Sequence, residues 1–483
     1  MKDKLCQYAR PVLVSLFVAG FALQVVFAGY WAFTNGNNVQ EFYDTSFYLK
    51  SAGMYGLDAW HLPGYVMVIN IAQTVFGFLG DGYVWGVYLF QTLFSLFIFT
   101  EAIRSLGLHF FKKEIPYKVA VLFGLYIVTV PIIWQMQFAL LPDAICLAAS
   151  CILFAKSLEL TADRAKFRWD CLYVIAGGLL VTATYDRYAF YGAFLWSLFC
   201  CIYVFADRFM IHPNSKRKLG TAGCIPVLLL LACVIHVLYP GAVKSEVNQA
   251  TGLQGVVANS VSYSPEADLM HRFTLYEQKE ASAFYGEVLQ KYFDDGYFAE
   301  YEDTQEGLFY VAAPLMEKEL GSREAKKLFM EMNLTGFRQN WTGHLVQMWK
   351  EVTGYVFMPV SAVKYMYNAA NSKYGYNYTR MWEREPVLTR DYMHTGMNGV
   401  LIFTLAAVTI ALIGGIKNKK KGKKILFSAV TGLGAILVFT LPAMIFDTMC
   451  YDYRIGLFSL CLWLFASILT MTGLLKKGDL KNG

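Results

Sequence analysis

The sequence predicts an all-α integral membrane protein, with about ten transmembrane helices, an outer juxtamembrane first loop and one long extracytoplasmic loop region. Three observations predict it. The 483 residues are 56% hydrophobic and only 16% charged, with a mean hydropathy of +0.39, whereas soluble domains are about 25% charged. Apolar runs near the roughly 17–25 residues that a crossing needs recur along the chain. The Lys and Arg residues lie in short blocks between those runs, so the net charge of +6 is the signature of cytoplasmic loops and not of a nucleic-acid surface.

Taken in order, Met1–Arg10 is short and basic, and no small-residue cleavage site follows the run behind it, so that run reads as a retained span. The spanning runs are Pro11–Phe33, Gly82–Ile103, Val119–Trp134, Ala139–Leu158, Leu172–Tyr185, Tyr188–Ala206, Thr221–Tyr239, Asn398–Ile416, Ile425–Phe446 and Tyr453–Leu474. An eleventh apolar run, Pro63–Gly80, is decided by charge. If it lies along the outer face, the basic blocks at Lys2/Lys4/Arg10, Arg104/Lys112/Lys113/Lys118, Arg164/Lys166/Arg168, Arg208/Lys216/Arg217/Lys218, Lys417–Lys424 and Lys476/Lys477 share one side. If it spans, the first block is opposed to the others. The expectation is therefore a juxtamembrane or re-entrant helix at Pro63–Gly80, with both termini cytoplasmic in a plasma membrane.

Three regions follow: a membrane module over 1–240 with its first outer loop at 35–81, an extracytoplasmic loop domain over 241–395, and C-terminal membrane helices over 396–483. The long loop reads as folded. Phe284–Phe293 and Arg323–Met332 have helical apolar spacing, and His344–Tyr367 is an aromatic-rich amphipathic stretch suited to a membrane surface. Gly241–Gly396 contains no cysteine, which argues against a disulfide framework there.

The first polar stretch, Glu41–Gly64, is the natural place to look for chemistry. It holds Glu41, Asp44, Asp58 and His61, with Asp44 set among Phe42, Tyr43, Phe47 and Tyr48. Three more charged places sit at span ends on the same predicted outer side: Asp143 in LLPDA, Asp186–Arg187 in TYDRYAF, and Asp452–Arg454 in YDYR. Asp44 suits a general base for an acceptor hydroxyl or a metal ligand, and equally the cap of a helix over Thr45–Met54. His61 can hold a phosphate or a metal, or simply be solvated. Asp143 suits a helix N-terminus, where a carboxylate gains about 0.3–1 kcal/mol. Arg187 and Arg454 can grip an anionic head group, or pair with the aspartates beside them.

Weaker signals are set aside. Asp294–Asp303 is acidic without EF-hand spacing. Asn333-Leu-Thr, Asn340-Trp-Thr and Asn377-Tyr-Thr fit the short glycosylation acceptor pattern. No phosphate-cradling glycine loop, zinc motif or nucleophile elbow is visible.

In their order along the chain these places resemble the GT-C class of membrane glycosyltransferases, the group of protein O-mannosyltransferases and lipid A aminoarabinose transferases. The resemblance lies in an Asp after the first span (YDTSFYLKSAG), then H-x-P-G-Y leading to an apolar helix (HLPGYVMVINIAQTVFG). It continues with Pro-Asp before a span (LLPDAICLAASCILFAK) and an Arg at an outer turn (GGLLVTATYDRYAF), and covers mainly Met1–Phe205. YDYRIGLF is similar to the Arg-containing last spans of such enzymes. Two positions depart from the pattern: Thr45, where many members have a second acid, and Gly64, where many have a second Pro.

The resemblance implies transfer of a sugar from a polyprenyl-phosphate donor to a glycan, lipid or protein acceptor, on the extracytoplasmic face and without nucleic acid. By that analogy Asp44 is the base and Asp143 a second acidic group near the acceptor, while Arg187, Arg454 and His61 neutralise the leaving lipid phosphate. No cofactor is fixed. A divalent metal, Mg or Mn, stays open, with Asp44 and Asp143 as its carboxylates. One alternative is a lipid-linked glycan polymerase or ligase, using His344, Arg338, Arg380, Arg384, Arg390 and His394. The other, from a different class, is a polytopic transporter or flippase, which predicts broken helices in paired halves.

Overall fold

The structure is a computed structural model and describes residues 2–35, 45, 48–49, 52, 63–111, 114–160, 167–184, 313–339, 341–357, 387–417, 433–435, 437 and 453–475. Every named element among them is a helix. Helix α1 (Lys2–Asn35) has 34 residues, about 51 Å at 1.5 Å per residue, longer than the ~30 Å hydrocarbon core of a bilayer.

The apolar run at Pro63 becomes helix α2 (Pro63–Phe76), a 3₁₀ turn over Gly77–Gly82, and helix α3 (Tyr83–Phe111). The Tyr65 hydroxyl donates to Gln91 Oε1 at 2.8 Å. In one straight helix these residues would stand about 39 Å apart, so the chain reverses and α2 packs back along the first half of α3. Gly80 makes the reversal, at φ 60° and ψ −132°, a conformation that a side chain disfavours. Gly86 lets the two helices close, because a Cβ there would collide with the Phe76 ring.

The predicted span Val119–Trp134 is not straight. Helix α4 (Tyr117–Val128) and helix α5 (Pro131–Gln137) meet at 86°. Pro131 is the cause. Its ring disfavours helical backbone in the residue before it, and Val130 is extended at φ −58°, ψ 128°, while the missing N–H costs nothing at the first position of a new helix. The bend is held by helix α1, whose Ala28 carbonyl accepts the Trp134 indole N–H at 3.0 Å, while Thr129 Oγ1 donates to Gln24 Oε1 at 3.2 Å.

The run expected from Ala139 starts its helix later, as α6 (Asp143–Leu160), with the Cys146 N–H donating to the Pro142 carbonyl at 2.8 Å. The next run starts earlier than Leu172, as α7 (Phe167–Thr184). The predicted helices at Tyr188–Ala206, Thr221–Tyr239 and Phe284–Phe293 lie outside the described residues. Helices α8 (Ala313–Leu320) and α9 (Ser322–Gln339) extend the pattern read at Arg323–Met332, and α10 (Trp341–Val356) covers the first part of the amphipathic stretch. Asn333 is 2% exposed within α9, which removes it as a glycosylation acceptor as the chain is folded. Helices α11 (Val387–Lys417) and α12 (Tyr453–Leu475) complete the set.

One contiguous apolar core joins these elements, from Leu13 and Phe17 of α1 through α2–α7 to Val352 and Val356 of α10, Phe403 of α11 and Leu457–Met471 of α12. Among the described residues three apolar helical stretches are long enough to cross a membrane: Pro11–Tyr30, Gly64–Phe111 and Gly456–Gly473. The bent α4–α5 pair makes a fourth if it counts as one span. The second of these is the α2–α3 hairpin, so its length is shared between two packed helices.

Pairwise contacts fix the helix directions. Phe17 meets Phe123, Gln24 meets Thr129 and Ala28 meets Trp134, so α1 runs parallel to α4. Arg104 lies over the Tyr117 ring at 5.6 Å, and a Cβ on Gly124 would press on Thr100, so α4 runs antiparallel to α3. Gln91 contacts Ala139 just before α6, and Tyr173 of α7 feels the charges of Glu101, Arg104, Lys156 and Asp170, so α6 follows α3. Phe465 faces Phe99, and Gly473 sits against Phe111, so α12 does the same. Asp143 therefore marks one end of the bundle. The other end collects the amino ends of α1, α4 and α7 and the carboxyl ends of α3, α6 and α12, next to four of the basic blocks.

Candidate functional site

Chain geometry at the Asp143 end is set by one side-chain amide. Gln91, fully buried, donates from Nε2 to the carbonyls of Gln137 (2.9 Å) and Ala139 (3.1 Å), while its Oε1 accepts from the Tyr65 hydroxyl. All three hydrogen-bonding positions it uses tie a different piece of chain to α3: the end of α5, the non-helical link 138–142, and α2. A buried amide so engaged rigidifies its surroundings, because breaking any one bond leaves a buried polar group unsatisfied. Ser95 Oγ extends the network to Gln137 Oε1 at 3.3 Å.

The link thus held delivers Asp143 to the first turn of α6, where it is 3% exposed. Tyr65 is near enough for its phenol to feel the Asp143 carboxylate, together with Tyr48, Tyr83 and Tyr88. Residues of the segment that follows α1 reach the same place. Thr45 is fully buried and its Oγ1 donates to the Leu140 carbonyl at 3.4 Å; Tyr48 sets its ring edge-on to Tyr65 at 5.2 Å. Trp85, Tyr88, Trp134 and Phe138 form an aromatic wall beside it, with Tyr88 and Trp134 rings 5.3 and 4.9 Å from that of Phe138. Here a carboxylate, phenols and aromatic faces converge where a helix amino end favours negative charge.

Of the residues assigned to the transferase site from sequence, the structure describes Asp143 and the backbone of Arg454. Arg454 lies in the first turn of α12. Because α12 runs with α3 and α6, this turn points to the Asp143 end. Asp44, His61 and Arg187 lie outside the described residues, as do Arg380, Arg384 and the sequons at Asn340 and Asn377. His344 is fully buried, its Nε2 donates to the Gly336 carbonyl at 3.3 Å, and its ring stacks on Phe337. It ties α10 to α9. No group of three or more potential metal ligands occurs among the described residues.

A second buried polar centre was not read from the sequence. At the far end of α6, Lys156 Nζ lies 2.7 Å from Glu159 and 3.0 Å from Asp170 of α7, and 5.1 Å over the Tyr173 ring. All three charged side chains are under 9% exposed. Arg104 pairs with Glu101 and Glu114 nearby. A Lys inside an apolar run, with an acid three residues on and an Asp just before the next run, was the available signal. No family model, no curated protein and no solved structure matches this chain.

Proposed function

We propose that the protein is a membrane glycosyltransferase of the GT-C type, with about ten spans, moving a sugar from a polyprenyl-phosphate donor to an acceptor hydroxyl at the Asp143 end of the bundle. One observation carries the reading: the first outer loop, through Thr45 and Tyr48, packs against the link that positions Asp143. Two parts of the chain with candidate acids, more than ninety residues apart in sequence, are thereby tied to one place. Asp44 is bonded directly to Thr45 and acts as the base on the acceptor. Asp143 is the second acidic group. Arg454, and with it Arg187 and His61, neutralise the phosphate that leaves. The four basic blocks adjoining helix ends at the opposite pole support a cytoplasmic assignment for that pole and an extracytoplasmic one for the site.

The test is sugar transfer in proteoliposomes from a panel of polyprenyl-phosphate sugars, comparing wild type with Asp44→Asn and adding an EDTA arm. Wild-type transfer lost in Asp44→Asn, with the melting temperature kept, is the expected result. Transfer at the wild-type rate in the variant reduces Asp44 to a helix cap, and loss of activity in EDTA that Mg or Mn restores assigns a metal. The second reading, a polytopic transporter, is favoured by the 86° break between α4 and α5, since broken helices line transport sites. Movement of lipid-linked sugar across the bilayer without transfer selects it.

A further inference from the structure

From the face of α10 we infer that its first turns are a membrane-interface anchor, seated in the boundary between lipid head groups and acyl chains. Trp341, Leu345, Trp349, Val352 and Val356 lie within about 80° of arc on the helix at 100° per residue. They form one apolar stripe in two parts. Val352 and Val356, at the carboxyl end, are buried in the bundle core, whereas Trp341, Leu345 and Trp349 are 53%, 46% and 68% exposed. The same face that docks on the protein thus runs off it, uncovered by the other described residues.

The depth of docking says what meets that face. The Val356 carbonyl accepts from Trp463 Nε1 at 2.6 Å and from Ser459 Oγ at 3.4 Å. Both partners belong to the apolar stretch of α12 that begins at Gly456, about 5–10 Å of helix rise inside it. An in-plane amphipathic helix buries its apolar face about 5–10 Å into the head-group boundary. Tethered at that level, the stripe extends through the layer where Trp side chains concentrate in membrane proteins. The polar side is held to α9 through His344, so α8 and α9 ride on the anchor. The inference rests on the bundle being in a membrane and not on sugar transfer.

The test uses the full chain in nanodiscs with a small fluorescent amino acid at Leu345, at Gln347 (about 200° round the helix) and, as a reference, at Val26 of α1, which is 67% exposed. Lipids with a spin label at the head group, at acyl carbon 5 or at acyl carbon 12 are the quenchers, and iodide reports water. The label at Leu345 is expected to lose at least half its emission to the head-group and carbon-5 quenchers, less to carbon 12 and little to iodide, while that at Gln347 responds to lipid quenchers at least threefold less. Quenching of Leu345 by iodide alone overturns the anchor in favour of a solvated face. Protection from every quencher overturns it in favour of cover by protein. If Val26 too is untouched by lipid quenchers, the membrane reading falls with it; if Val26 is quenched and Leu345 is not, only the anchor falls.

Discussion

Asp143 shows how a single carboxylate changes meaning with its surroundings. A helix amino end is served as well by an exposed Asp, for about 0.3–1 kcal/mol, yet this one is buried, only 3% exposed. If it acts on the acceptor, Asp143→Asn, which keeps the shape and one acceptor oxygen, lowers transfer by about 10²–10⁴-fold and leaves the melting temperature unchanged; an active variant leaves it only its place at the helix amino end. Gln91 is the opposite case, with structural consequences first. Gln91→Leu strands the Gln137 and Ala139 carbonyls and the Tyr65 hydroxyl, and a buried polar group left without its bond costs about 1–3 kcal/mol. The expected result is a clear fall in thermal stability in detergent, with Gln91→Glu intermediate because it keeps the acceptor for Tyr65. Lys156 holds two buried acids, so Lys156→Met leaves Glu159 and Asp170 facing each other and destabilises by about 3–5 kcal/mol. Lys156→Met with both acids changed to their amides recovers much of it, as thermal unfolding of the set would show.

At the scale of elements, two backbone features shape the site. The reversal at Gly80 folds α2 against α3 and puts Tyr65 beside Gln91. Gly80→Val forces a β-branched residue into a positive-φ conformation outside the left-handed helical region, at a cost of about 1–3 kcal/mol. Separation of α2 from α3, read as faster proteolysis between them, is the expected signature. The bend before Pro131 ends α4 and aims α5 at the link to α6. Periodicity alone reads Val119–Trp134 as one run, since every residue in it is compatible with a span. The proline rule names the boundary, but only the contacts of Trp134 and Thr129 with α1 show that the chain turns by 86° there instead of kinking slightly.

Across the whole molecule, the parallel and antiparallel pairings gather the helix ends into two poles. A pair of single-cysteine additions tests whether those poles face opposite sides of a membrane: Phe78→Cys at the α2–α3 turn, 81% exposed, and Glu114→Cys at the other pole, whose side chain is 50% exposed. In oriented vesicles an impermeant maleimide should label Phe78→Cys only from the outer side and Glu114→Cys only from the inner side, over the background of the parent chain. Labelling of both from one side would refute the two-pole arrangement of the membrane protein.

Much of this was legible in the chain because the signals are local. Apolar runs of spanning length, basic blocks between them, Pro-Asp before α6 and an aromatic amphipathic stretch at α10 all act through a window of about twenty residues or fewer, and composition is enough to mark them. The helical class and the membrane character follow from that alone. What the tertiary structure decided is long-range. Gln91 is one amide among many polar residues until it meets Tyr65, Gln137 and Ala139, up to 48 residues away. His344 is one polar residue of an amphipathic stretch until its contact with Gly336 makes it a tie between α10 and α9. Lys156 reads as an irregularity in an apolar run until Asp170 arrives from the next helix. The sequence by itself determined which segments must leave water, since the hydrophobic effect depends on apolar surface and not on partners. Which polar side chains can be buried among them depends on the partners that satisfy them, and those are chosen only when distant helices pack.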